Sequence, residues 1–199
     1  MSNPQPEGND MTPLYVIGGK SRTGKSKISQ RIKTRHGSLE ILNTDSFRMG
    51  ETDDLAWDRL AKRLRETNFL TDVLVEGVAI TPQRIYGLNI PTLALQKAVF
   101  LGYSRESHAD SILNHAQQAR QKDWVFRQMQ KNPSYVNDVR SWMKTGIPES
   151  AQLKIDAEAC GYGYFDITDY SDFEKYVTDV ANYLLPSSKD SPKDSSCEK

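Results

Sequence analysis

The chain has 199 residues, with 26 Lys or Arg against 26 Asp or Glu, for a formal net charge of zero. That length fits one domain, and the charge balance leaves no broad electrostatic footprint for nucleic acid or an anionic membrane. Hydrophobic residues make up 37% and charged residues 26%, an ordinary globular balance, and no apolar run approaches the ~18 residues of a membrane helix.

Residues 1–13 are polar and Pro-rich, with neither the basic nor the apolar region of a secretory signal. They read as a disordered tail, as do the Ser, Lys and Asp residues of 186–199, since neither offers enough to bury. One folded domain is expected over 14–185. Its first strand is expected at 14–17, closed by Gly18-Gly19, and a helix without a breaker follows over 25–35. A strand at 39–42 ends in Asn43-Thr44-Asp45, and the helix at 53–66 sets Trp57, Leu60, Ala61 and Leu64 on one face. A strand at 73–75 ends in Glu76-Gly77, and one at 98–101 ends in Gly102. Residues 104–131 read as a long helix. Asn132-Pro133 and Gly146-Ile147-Pro148 read as breaks around a short helical piece. A helical segment at 150–160, a fifth strand at 164–167 and an amphipathic helix at 173–184 complete the pattern. Strands alternating with helices imply βαβ units and a parallel sheet, and continuous apolar strands imply burial on both faces. Of the two cysteines, Cys197 lies in the polar tail. A structural disulfide is therefore not expected, and a reducing cytoplasm is the expected compartment.

The most specific feature is Gly19-Lys20-Ser21-Arg22-Thr23-Gly24-Lys25-Ser26, which is G-x-x-x-x-G-K-S between the first strand and a helix. Glycines let successive backbone N–H groups turn inward as an anion nest, and the helix N-terminus adds its dipole. Lys25 is placed to reach the β- and γ-phosphates and the Ser26 hydroxyl to ligate Mg²⁺. Two acidic residues follow neighbouring strands, Asp45 and Glu76, where sites form at the carboxyl ends of a parallel sheet. A kinase needs one carboxylate to take the acceptor's proton and acidic groups to organise the metal. Asp45 and Glu76 suit those roles. Asp45 also suits a turn after a strand, and Glu76 a structural ion pair.

The phosphate loop, Thr44-Asp45-Ser46-Phe47-Arg48, and Val75-Glu76-Gly77-Val78 followed by Pro82 together resemble small P-loop kinases. The Asp-Ser-Phe and Glu-Gly elements resemble uridine kinase. Asp-Ser-Phe-Arg also resembles zeta-toxin and chloramphenicol phosphotransferase relatives, and Glu-Gly-Val-x-x-x-Pro resembles 2-phosphoglycerate kinase. The resemblance covers roughly 14–102. It implies an α/β fold: a three-layer αβα sandwich with a five-stranded parallel sheet and adenylate-kinase-like strand order, the third strand lying between the first and second. It also implies Asp45 as general base and a helical lid after the fourth strand, roughly 104–148. No Asp ends the third strand, which sets the chain apart from switch GTPases and AAA motors.

A lid must bring cations to the charge that spreads over the transferring phosphoryl group. Arg120 and Arg127 are seven apart, hence on one face of a continuous helix. Arg48, just past Asp45, is a candidate grip for an anionic substrate, and Arg84 is a weaker one on the same side. Glu76 is a candidate for substrate or metal. His108 and His115 read as exposed, and Trp57, Trp124 and Trp142 as packing residues. The leading expectation is an ATP- and Mg²⁺-dependent phosphotransferase acting on the hydroxyl of a small molecule, as a monomer or homodimer. The alternatives are a nucleotide-binding regulatory protein without transfer activity, and a toxin-like kinase acting on a nucleotide-sugar.

Overall fold

The computed structural model describes residues 11–48, 50–167 and 172–185. Most of both expected tails, and Cys197, lie outside these residues. Strand β1 (Thr12–Gly19) is followed by α1 (Lys25–Arg35), β2 (Glu40–Asn43), α2 (Asp45–Arg48), α3 (Asp53–Glu66), β3 (Val73–Glu76) and α4 (Pro82–Tyr86). The second half contains β4 (Leu93–Gly102), α5 (Ser107–Ala119), a 3-10 turn (Arg120–Lys122), α6 (Trp124–Lys131), α7 (Tyr135–Ala159), β5 (Gly163–Asp166) and α8 (Phe173–Leu184). Among the described residues the strands form one parallel sheet in the order β2-β3-β1-β4-β5. The third strand does lie between the first and second. Val16 of β1 sits opposite Val75 on one side and Ala98 on the other.

All four residues of β3 are buried, because helices cover both faces of the sheet. Against one face, Ile28 and Ile32 of α1, Ile112 and Ala116 of α5, and Val177 and Val180 of α8 enclose Ile17, Leu74 and Val99. Against the other, Leu60 and Leu64 of α3 and Ile85 of α4 pack on Val16, Val75 and Phe100. Each such aliphatic side chain contributes about 1.5–3 kcal/mol on burial.

Four boundaries differ from expectation. Strand β1 begins at Thr12, which with Pro13 pairs against Leu93 and Ala94, so these residues belong to the sheet and not to a tail. Strand β4 begins at Leu93, five residues before the expected position 98, and its polar Gln96 and Lys97 hide that start from a search for apolar runs. The expected helix over 104–131 is broken. Asp123 is extended, and its carboxylate accepts from the Val125 N–H at 2.7 Å, starting α6 anew. The expected break at 146–148 is absent. Helix α7 runs through Pro148. Pro148 sacrifices one internal hydrogen bond, but the helix is held on both flanks of that point. Val139 and Met143 sit in the first core, and Leu153 and Ala157 in the second. Helix α7 therefore crosses over the end of β4. There the Ser150 hydroxyl accepts from the Tyr103 N–H at 3.3 Å.

Candidate functional site

The loop at 19–26 is bent by three residues in the left-handed region: Gly19 at φ +119°, Arg22 at +65° and Gly24 at +82°. Gly19 is also pressed on the backbone of Leu101, where a Cβ has no room. The Lys20 N–H donates to the Leu101 carbonyl at 2.8 Å, tying the loop to β4. The buried Thr23 hydroxyl donates to the Lys20 carbonyl at 2.8 Å. Lys25 is buried, and its ammonium donates to the carbonyls of Gly19 at 3.1 Å and Lys20 at 2.6 Å. Burial lowers its pKa to about 8, opposed by the charges of Glu76 and Asp45. Ser26, in the first turn of α1, is exposed. A positive ammonium and a helix N-terminus thus converge on one loop, an arrangement that suits an anion.

Next to the loop, the ends of β2 and β3 bring the two carboxylates together through a residue that sequence reasoning used only as a strand terminus. The Asn43 side-chain amide donates to Glu76 Oε1 at 3.1 Å, and its carbonyl oxygen accepts from the Asp45 N–H at 2.7 Å. The Thr44 N–H donates to the Glu76 carbonyl at 2.8 Å. A Cβ on Gly77 would run into the Thr44 side chain, so that glycine permits the close approach. Asp45 is exposed at the start of α2, and Glu76 is buried. Burial raises the Glu76 pKa, while the nearby Ser29 and Ser26 hydroxyls, Lys25 and Asn43 draw it back. Although those hydroxyls lie close, Glu76 Oε2 is buried without a hydrogen bond of ordinary geometry. A buried carboxylate oxygen beside the Ser26 hydroxyl suits a hydrated Mg²⁺ shared with phosphate oxygens. Among the described residues no group of three or more His, Cys, Asp or Glu side chains could cage a metal alone.

Gly19, Lys20 and Ser21 also line a cleft of about 570 Å³, together with Asp45 and Arg48. Its far wall is α7, through Trp142, Gly146, Glu149 and Asp156, and its floor includes Val78, Ile80 and Pro82. A volume of this order suits a small-molecule ligand. Lys20 forms an ion pair with Glu149 across the cleft, and Arg48 forms one with Asp53.

Three arginines stand elsewhere than expected. The Arg84 guanidinium donates to the Ala79 carbonyl at 2.6 Å, pairs with Asp54 and lies over the Trp57 ring; it is not among the cleft-lining residues. Arg120 and Arg127 do not share a helix face, because the 3-10 turn and extended Asp123 separate them. Both are exposed and outside the cleft lining, and Arg127 donates to the Gln121 carbonyl at 2.9 Å. The segment expected as a lid is joined to the loop by Arg22 instead. Its guanidinium grips Asp123 with two hydrogen bonds, at 2.9 and 3.2 Å, and stands 4.8 Å from the Trp124 ring centre. The aromatic rings of Trp124, Tyr135 and Trp142 form a cluster. Trp124 and Trp142 are partly exposed rather than packed away. His108, expected at the surface, is fully buried and stacks on Tyr103 with ring centres 5.0 Å apart. Nothing in the sequence around Asn43, Asp123 or Glu149 signals these contacts, because each partner lies on a distant segment.

A G-x-x-x-x-G-K-S loop between β1 and α1 of an all-parallel sheet, with β3 between β1 and β2 and helices on both faces, is the P-loop NTPase fold in its small kinase-like form. No family model matches the chain, and no curated protein matches it. Among solved structures it is similar to a gluconokinase from Sinorhizobium meliloti, at 17% identity and a TM-score of 0.49, over 87% of this chain and 92% of that one. A shikimate kinase from Bacteroides thetaiotaomicron is similar at 12% identity and a TM-score of 0.48, over 87% and 98%. A sulfotransferase from Alicyclobacillus acidocaldarius is similar at 18% identity and a TM-score of 0.49, over 94% and 86%. The likeness is one of fold alone. No helix among the described residues is long and apolar enough to cross a membrane.

Proposed function

We propose that the chain is a phosphotransferase that binds ATP at residues 19–26 and passes the γ-phosphoryl group to a hydroxyl of a small molecule held in the adjoining cleft. One observation carries this reading: the cleft that Asp45 lines is also lined by Gly19, Lys20 and Ser21 of the phosphate loop. A carboxylate able to take a proton and a loop able to hold phosphates therefore face the same space. In the reaction, the loop N–H groups and the α1 N-terminus hold the phosphates. Lys25 exchanges its carbonyl contacts for phosphate oxygens. Asp45 accepts the proton of the acceptor hydroxyl as that oxygen bonds to the γ-phosphorus and the bond to the β–γ bridging oxygen breaks, leaving ADP. The Ser26 hydroxyl and Glu76, the latter through water, would hold Mg²⁺, which supplies charge neutralisation at the phosphates.

The test combines two measurements on the purified protein: ATP affinity with and without Mg²⁺, and ADP formation with a panel of hydroxyl compounds. Magnesium-dependent binding and acceptor-dependent ADP are expected. Lys25→Ala is expected to cut ADP formation by at least ~100-fold. Absence of ATP binding, or turnover unchanged in that variant, overturns the reading.

A further inference from the structure

The cleft's electrostatics narrow the class of molecule that fits it. Its lining contains the carboxylates of Asp45, Asp53, Glu149 and Asp156 but only two cations, Lys20 and Arg48. Each cation is already engaged by a carboxylate of the same cleft: Lys20 by Glu149, and Arg48 by Asp53. Asp45 and Asp156 form no ion pair with any described residue. Asp156 accepts instead from the neutral Gln152 amide at 2.8 Å, and hydrogen bonds from Gln83 and then Gln152 hold its carboxyl below the usual range. Arg84, the remaining candidate for an anionic substrate, is turned away onto Asp54 and Trp57. If Lys20 swings toward bound phosphates, it leaves Glu149 behind and makes the cleft more acidic still. Trp142, partly exposed, adds an aromatic ring to the same lining, and aromatic faces attract cations.

The geometry points to a hydroxyl acceptor that carries a protonated amine, of amino-sugar or aminocyclitol size, with Asp45 serving its hydroxyl and Asp156 its ammonium. This rests on the phosphotransferase reading for the identity of the cleft, but not for its charge. An acceptor bearing a carboxylate or phosphate would have to break the Arg48–Asp53 pair to find a partner, and would still face Asp156, which has no cation beside it.

The test uses the full chain with a non-hydrolysable ATP analogue and Mg²⁺, and measures binding of glucosamine and 2-deoxystreptamine against glucose, myo-inositol and gluconate. At least one amine is expected to bind ten-fold or more tightly than its neutral counterpart, with gluconate weakest. Asp156→Asn is expected to erase most of that preference while the neutral compounds bind as before. Equal binding of amines and neutral compounds, a preference for gluconate, no binding of any amine, or a preference untouched by Asp156→Asn overturns the inference. ADP formation is then read with the same compounds. Amine binding without ADP would sink the phosphotransferase reading while leaving the charge preference in place.

Discussion

Lys25 occupies a position that is costly for a cation. Its ammonium is buried against two backbone carbonyls, which replace only part of the water it has lost. That cost lowers its pKa to about 8, and a triphosphate would remove the cost by supplying counter-charge. The sign follows directly. Below about pH 7 the ammonium is charged and ATP affinity should be flat. As pH rises through 8 the free protein loses the proton that binding needs, and affinity should weaken, by up to about ten-fold per unit. Titrating ATP affinity from pH 6.5 to 9.5 checks this, and Lys25→Met should abolish the slope. The place of Lys25 in the loop was legible from the sequence because the loop is a local motif with fixed spacing. Asn43, which binds one oxygen of Glu76 and the backbone of Asp45, was not. Its partners are set by the register of two neighbouring strands, which no local pattern encodes.

At the scale of elements, the lid region shows where spacing misleads. Seven residues place two arginines on one face only if the helix between them is unbroken, and Asp123 breaks it. The same Asp123 caps α6 and clamps Arg22 of the phosphate loop, with both side chains largely shielded from solvent. Burial pushes its carboxyl up, but Arg22 and the backbone N–H groups of Val125 and Phe126 together hold it below the usual range. Asp123→Ala should therefore cost about 2–3 kcal/mol, removing a cap and a charge-assisted pair together. Asp123→Asn keeps the cap and should cost only about 1 kcal/mol. Urea unfolding of both variants measures the difference. Equal losses would show that the cap contributes nothing beyond the ion pair. The unbroken α7 is the opposite case: Gly146 and Pro148 are breakers by local rule, and burial of the helix in both cores overrides them.

For the whole molecule, alternating strands and helices made the layers readable, while the strand order came from the resemblance to small P-loop kinases. Burial of individual polar residues was less readable, because it depends on what the far end of the chain brings. His108 is the clearest instance. It is fully buried beside Tyr103, and desolvation lowers its pKa to about 4. The unfolded chain binds that proton near pH 6.5, so this contribution to stability is intact above that pH and is lost progressively as pH falls toward 4. Between pH 7 and 5 the loss should be about 2 kcal/mol from this residue. Comparing urea midpoints of the wild type and His108→Phe at the two pH values isolates it; parallel pH dependences would show that His108 does not carry the effect.

The crossing of α7 has a bearing on how the ligand preference of the cleft changes over generations. The helix that supplies the cleft wall is anchored in both cores, so its cleft-facing and structural positions alternate within a few turns. Backbone adjustments that reshape the wall must propagate into packed aliphatic contacts on either side. Variants selected for a new ligand through α7 will tend to surrender thermal tolerance, and restoring it will call for compensating changes in layers that never meet that ligand.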